Sequence, residues 1–120
     1  MKNKMMKMKF GLAVIAFLGL LGTAVIAAPA TYTSLQDIML DGDDAVGKIA
    51  ELDMILVMLL SNGQIMATEP GSTDPITLTF KSKKIKDKLK KIRMNTSVHK
   101  VRFKVYKDFG STCGEILKID

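Results

Sequence analysis

The chain has 120 residues, of which 48% are hydrophobic and 25% charged, with a formal net charge of +6, one cysteine and one histidine. A single cysteine excludes an internal disulfide, and a single histidine leaves only His99 as an imidazole base. The length allows one small domain.

Residues 1–30 read as a secretory leader. MKNKMMKMKF carries Lys2, Lys4, Lys7 and Lys9, and Phe10 to Ala28 holds no charge before the small-residue exit APA. Cutting after Ala30 places Ala28 and Ala30 at the positions where a small side chain is needed; cutting after Ala27 uses Val25 and Ala27. An uncleaved anchor is the alternative, because about 20 apolar residues span a bilayer. Either way the remaining domain, 31–120, is expected outside the cytoplasm, periplasmic, secreted or membrane-anchored.

Four of the eighteen basic residues lie in that leader, leaving fourteen against twelve acids. They are divided unevenly. Residues 31–80 hold eight acids and one lysine, whereas 81–120 hold thirteen basic residues and four acids. The domain is a dipole along its sequence, and attraction between its halves competes with attraction to an outside polyanion.

In chain order, Leu35, Ile38 and Met39 suit one side of a short helix or an irregular lead-in, and Asp41–Asp44 (DGDD) reads as a turn. Val46 to Leu60 is ambiguous. Its Ala, Glu, Leu and Met favour helix with Ser61-Asn62-Gly63 as a C-cap, yet Asn-Gly between apolar runs is also a strong hairpin signal. QIMAT (64–68) reads as a strand, EPGSTDP (69–75) as a loop, and ITLTF (76–80) as a strand with Ile76, Leu78 and Phe80 inward. The period then switches. Ser82 is a fair N-cap, and Ile85, Leu89 and Ile92 line one helical stripe. Beyond MNTS, Val101, Phe103 and Val105 face inward and Lys100, Arg102, Lys104 and Tyr106 outward. DFGSTCG reads as a turn containing Cys113. EILKI (115–119) closes the chain, with Ile116 on one face and Leu117 and Ile119 on the other.

With 46–60 extended, the order is three strands, a helix and two strands, the order of the five-stranded OB barrel. VGKIAEL, NGQIMAT, ITLTFKS, KIKDKLKKI, VHKVRFKVYKDFG and EILKID resemble the small secreted bacterial OB-fold proteins of the tRNA_anti-like and periplasmic OB-fold groups. Gly47-Lys48 matches their Gly-Lys opening of the first strand. Val101, Phe103 and Val105 match the strand after the helix, although Lys107-Asp108 stands where those groups have Gly. The resemblance implies a mostly β, OB-type barrel with one helix between strands 3 and 4, acting as a binding or adaptor module, and it favours the extended reading of 46–60.

For function, the basic residues are the candidates. Lys83, Lys84, Lys86, Lys88, Lys90 and Lys91 on the helix, with Lys100, Arg102, Lys104 and Tyr106 on the next strand, suit an anionic or protein partner in the envelope. Lipopolysaccharide phosphates or anionic membrane headgroups have the matching charge. The competing account is an ordinary solvated helix face. Nucleic acid is disfavoured, because the second and third strands carry one aromatic, Phe80, on their core side. An EF-hand register from Asp41 puts Ala45, Val46 and Leu52 where ligands and glycine belong, so no metal is expected, and no cofactor motif is present. Catalysis would rest on His99 or Cys113, each better explained as an edge or core residue, so no enzymatic activity is expected.

Overall fold

The computed structural model describes residues 29–120, and the leader expectation for 1–30 falls almost wholly outside them. Among the described residues no helix is long and apolar enough to cross a membrane. The described residues form two short α-helices and five strands: α1 (Leu35–Asp41), β1 (Ile49–Leu59), β2 (Ile65–Thr68), β3 (Ile76–Thr79), α2 (Lys83–Lys90), β4 (Val98–Asp108) and β5 (Ser111–Ile119). The strands close a barrel in the order β1-β2-β3-β5-β4, with β4 returning to β1. All pairings are antiparallel except β3 with β5.

The ambiguous segment is a strand. Ala50, Leu52, Met54 and Leu56 are buried while Glu51 and Asp53 face outward, which is period two. A helix would have set Glu51 beside Ile55, on the stripe that must be buried. The strand begins three residues later than expected. Val46 is 45% exposed and ends a 3-10 turn over Gly42–Ala45, and Gly47 takes φ +87°, a left-handed conformation that glycine adopts without Cβ strain. The Gly47 amide then donates to the Val105 carbonyl at 2.8 Å, starting the β1–β4 ladder.

β1 is long enough to serve two partners, β4 along Ile49–Ile55 and β2 along Ile55–Leu59. A bulge at Val57 shifts the register, and Met58 and Leu59 emerge exposed beyond it. A second bulge corrects the reading of the last strand. Arg102 faces Lys118 while Phe103 faces Ile116, so Leu117 is the extra residue and both Ile116 and Ile119 turn inward. The DFGSTCG turn is also shorter than expected. Only Phe109 and Gly110 form it, both at positive φ, and Cys113 lies buried within β5.

Helix α2 is capped by Ser82, whose Oγ accepts from the Lys84 and Ile85 amides at 3.1 and 3.4 Å. Eight residues do not hold a helix in water unaided. Burial of Ile85 and Leu89, at about 1.5–3 kcal/mol each, anchors it to the core, with Ile92 half-buried beside them. Helix α1 is capped by Ser34 and held from a distance by Glu69, whose Oε1 accepts from the Leu35 amide at 2.7 Å. Leu35 and Ile38 are buried as the spacing suggests, but Met39 is 48% exposed, since a seven-residue helix has too few turns for its neighbours to cover both sides.

Candidate functional site

Closure of the barrel puts β3, β5 and β4 side by side. Thr79 stands opposite Glu115, and Glu115 opposite Lys104, so the three form a row across the outer face. Strand alternation projects them outward, because their neighbours Leu78, Gly114 and Phe103 are buried. Two positions along β4, the Tyr106 hydroxyl donates to Thr79 Oγ1 at 3.1 Å, and Lys81 Nζ reaches Glu115 Oε1 at 3.0 Å. These residues and Phe80 line a cleft of about 500 Å³.

A second cleft, of about 420 Å³, starts from the same Lys81 and Glu115 and follows α2 along the end of β5. It adds Lys84, Lys88 and Lys118 over an apolar floor of Ile85, Ile116 and Leu117. Lys88 is tethered, its Nζ donating to the Ile119 carbonyl at 2.9 Å. The two adjoining clefts are thus lined by five lysines and a single acid, with a phenyl and a phenol ring at one end. Burial pushes the Tyr106 hydroxyl above its usual range, and the Thr79 hydrogen bond opposes that shift only in part. The ring therefore stays neutral at physiological pH and adds no negative charge.

Of the residues singled out from sequence, Lys84, Lys88, Lys104 and Tyr106 converge on these clefts. Lys83 and Lys91 are exposed but line neither. Lys86 and Lys90 border a separate, apolar cavity. Lys100 is exposed near the start of β4, opposite Asp53 of β1 and four residues before Lys104, and lines neither cleft. Arg102 is a correction: expected outward, it is 7% exposed. It lies between β1 and β5 at the second bulge, opposite Glu51 and Lys118, with its Nε 3.9 Å from Glu51 Oε1. Covered by both neighbouring strands, it contributes nothing to an open basic surface.

Lys81, Lys118 and Phe80 were missed. Lys81 was visible in the lysine run, but Lys118 is isolated in sequence and joins the cleft only through the β5 bulge. Phe80 was placed on the core face with Ile76 and Leu78. It lies just past the end of β3, half-buried and packed against the core as expected, and it also lines a cleft.

His99 and Cys113 do not meet. Cys113 pairs with Tyr106 and His99 with Met54, seven residues apart along β4, or roughly 24 Å of strand. Burial and the nearby Asp108 charge push the Cys113 thiol up, away from the reactive thiolate. The His99 ring is engaged by Ser97 Oγ at 3.0 Å and the Asp120 carbonyl at 2.7 Å. Among the described residues no cluster of three acids, histidines or cysteines is arranged to hold a metal ion. Asp41, the last residue of α1, accepts from the Tyr32 hydroxyl, and Asp43, in the 3-10 turn after it, pairs with Lys107 of β4. On β2 and β3 the outward side chains are Met66, Thr68, Thr77 and Thr79, which offer no ring for base stacking.

The chain matches no protein-family model, and a comparison with curated proteins gives no match.

Proposed function

We propose that this protein is a small exported, non-catalytic binding module of OB type that captures an anionic partner in the cell envelope along the joined clefts over β3, β5, β4 and α2. The observation that carries the reading is the concentration of Lys81, Lys84, Lys88, Lys104 and Lys118 around the single carboxylate of Glu115. An ordinary solvated helix face accounts for lysines on α2, but not for their convergence with lysines from β4 and β5 and two rings on one concave surface. The strand order, the parallel β3–β5 pair and a helix following β3 in the chain support the OB assignment. The lysine-led apolar leader supports export. A polyanion such as lipopolysaccharide phosphate is the fitting ligand class, since the rim is charged and the floor apolar.

The test is a titration with lipopolysaccharide across a salt series. Counterion release makes affinity fall steeply as salt rises, and removing three lysines (K81Q/K84Q/K104Q) flattens that dependence. Glu115→Gln, which frees Lys81 from its carboxylate partner and removes the negative charge opposite Lys104, strengthens binding. Affinity indifferent to salt, or unchanged in both variants, rejects the proposal.

A further inference from the structure

The helix presents a second feature that the anionic clefts do not use. Between α2 and the β1–β2 hairpin lies a cavity of about 200 Å³. Its lining is Leu59, Ile65, Phe80, Leu89 and Met94, and Lys86 and Lys90 complete it from the helix. No acid contributes. The hollow is open to solvent on one side, so it is a surface groove with apolar walls rather than an internal void. Water gains little there, because an apolar site offers it few hydrogen-bond partners. At the mouth Leu59 is 60% exposed and the adjacent Met58 48% exposed, so apolar surface continues from the cavity to solvent.

The two lysines sit at i and i+4, where like charges repel across one helical turn. A bound anion relieves that repulsion. Dedicated pockets for drug-sized ligands run to about 300–1,000 Å³, so this cavity has room for one narrow chain rather than a pair of acyl tails. From the cavity, its apolar lining and its paired cations, we infer a binding site for a single-chain anionic amphiphile, of the fatty-acid class, with the chain among Leu59, Phe80, Leu89 and Met94 and the acidic head between Lys86 and Lys90. This site meets the cleft over β3 and β4 only at Phe80, which lines both, and it shares none of that cleft's lysines, so substitutions of the two lysine sets distinguish them.

Decanoate is titrated into the full chain carrying 13C-methyl methionine, with decyltrimethylammonium as the cationic counterpart. Saturable binding that shifts the Met94 methyl is expected, with the cation weaker by at least about 2-fold. K86Q/K90Q, at two exposed positions, weakens decanoate by about 2- to 30-fold while far-UV circular dichroism is unchanged. K81Q/K104Q, in the other clefts, leaves it unaltered. Absence of a Met94 shift, equal binding of the cation, or binding seen only to phosphatidylglycerol vesicles and not to free decanoate overturns the assignment.

Discussion

Gly114 is the position at which one methyl group is expected to disturb the whole barrel. It lies in β5 where the backbone passes directly over the Phe103 ring. A Cβ there would stand 2.4 Å from Phe103 Cδ2, 2.8 Å from Leu78 Cδ2 and 2.9 Å from Phe103 Cγ. Carbon atoms in contact settle at about 3.5–4.0 Å, so the ring must retreat by roughly 1 Å. It has nowhere to go, because Phe103 and Leu78 are both 0% exposed. Overpacking of this kind costs about 1–3 kcal/mol, and three simultaneous short contacts push toward the upper end. The Gly114 backbone lies outside the left-handed region, so alanine loses nothing there and gains about 0.4–1 kcal/mol through the stiffer unfolded chain. Gly114→Ala is therefore expected to destabilise by about 2 kcal/mol net. For a domain of this size that lowers Tm by roughly 8–16 °C. Thermal and urea melts followed by far-UV circular dichroism measure it. In a Phe103→Leu background the ring edge is gone, and the cost of G114A should shrink by about 1 kcal/mol. A G114A protein within 0.5 kcal/mol of the parent, or strictly additive costs in the double variant, refutes the close-approach argument.

Three further outcomes are expected. Phe109 is fully exposed and held at φ +50° in a two-residue hairpin whose geometry favours Asn-Gly, so Phe109→Asn should stabilise the protein by about 1 kcal/mol in urea melts; a loss would point to a contact for the ring. The Tyr32 hydroxyl donates to Asp41 Oδ2 at 2.5 Å, and that bond, with burial and the nearby acids, pushes its pKa from 10.0 up to about 12. The stability that the neutral phenol contributes is complete below pH 10 and disappears as pH rises through 12, so alkaline melts should show a downward slope that Tyr32→Phe diminishes. Cys113, buried with its thiol pushed up, should react slowly with a disulfide reagent in the native protein and rapidly in urea, and the protein should run as a monomer without reductant.

Most of the element order was legible because hydrophobic periods are local. Ser82 followed by Ile85 and Leu89 specifies α2, and alternation of Val101, Phe103 and Val105 specifies β4. For β1 the alternating stretch Ala50-Glu51-Leu52-Asp53-Met54 carried the strand signal, but the unbroken apolar run after Asp53 obscured it. That run is apolar on both faces because Ile55 and Val57 are half-covered where the strand changes partner from β4 to β2.

What the sequence alone determined is β2, β3, α2 and β4 with most of their inward faces, and the surplus of lysine after Lys81, all of which follow from spacing and composition within a few residues. Only tertiary structure decided which lysines share a surface. The extra residue at Leu117 turns Ile119 into the core and leaves Lys118 at the cleft, burial between two strands withdraws Arg102, and barrel closure brings Lys104 beside Glu115 and Lys81. A bulge inverts the parity of every residue beyond it, and closure joins strands far apart in the chain; neither event leaves a mark within the reach of a local pattern.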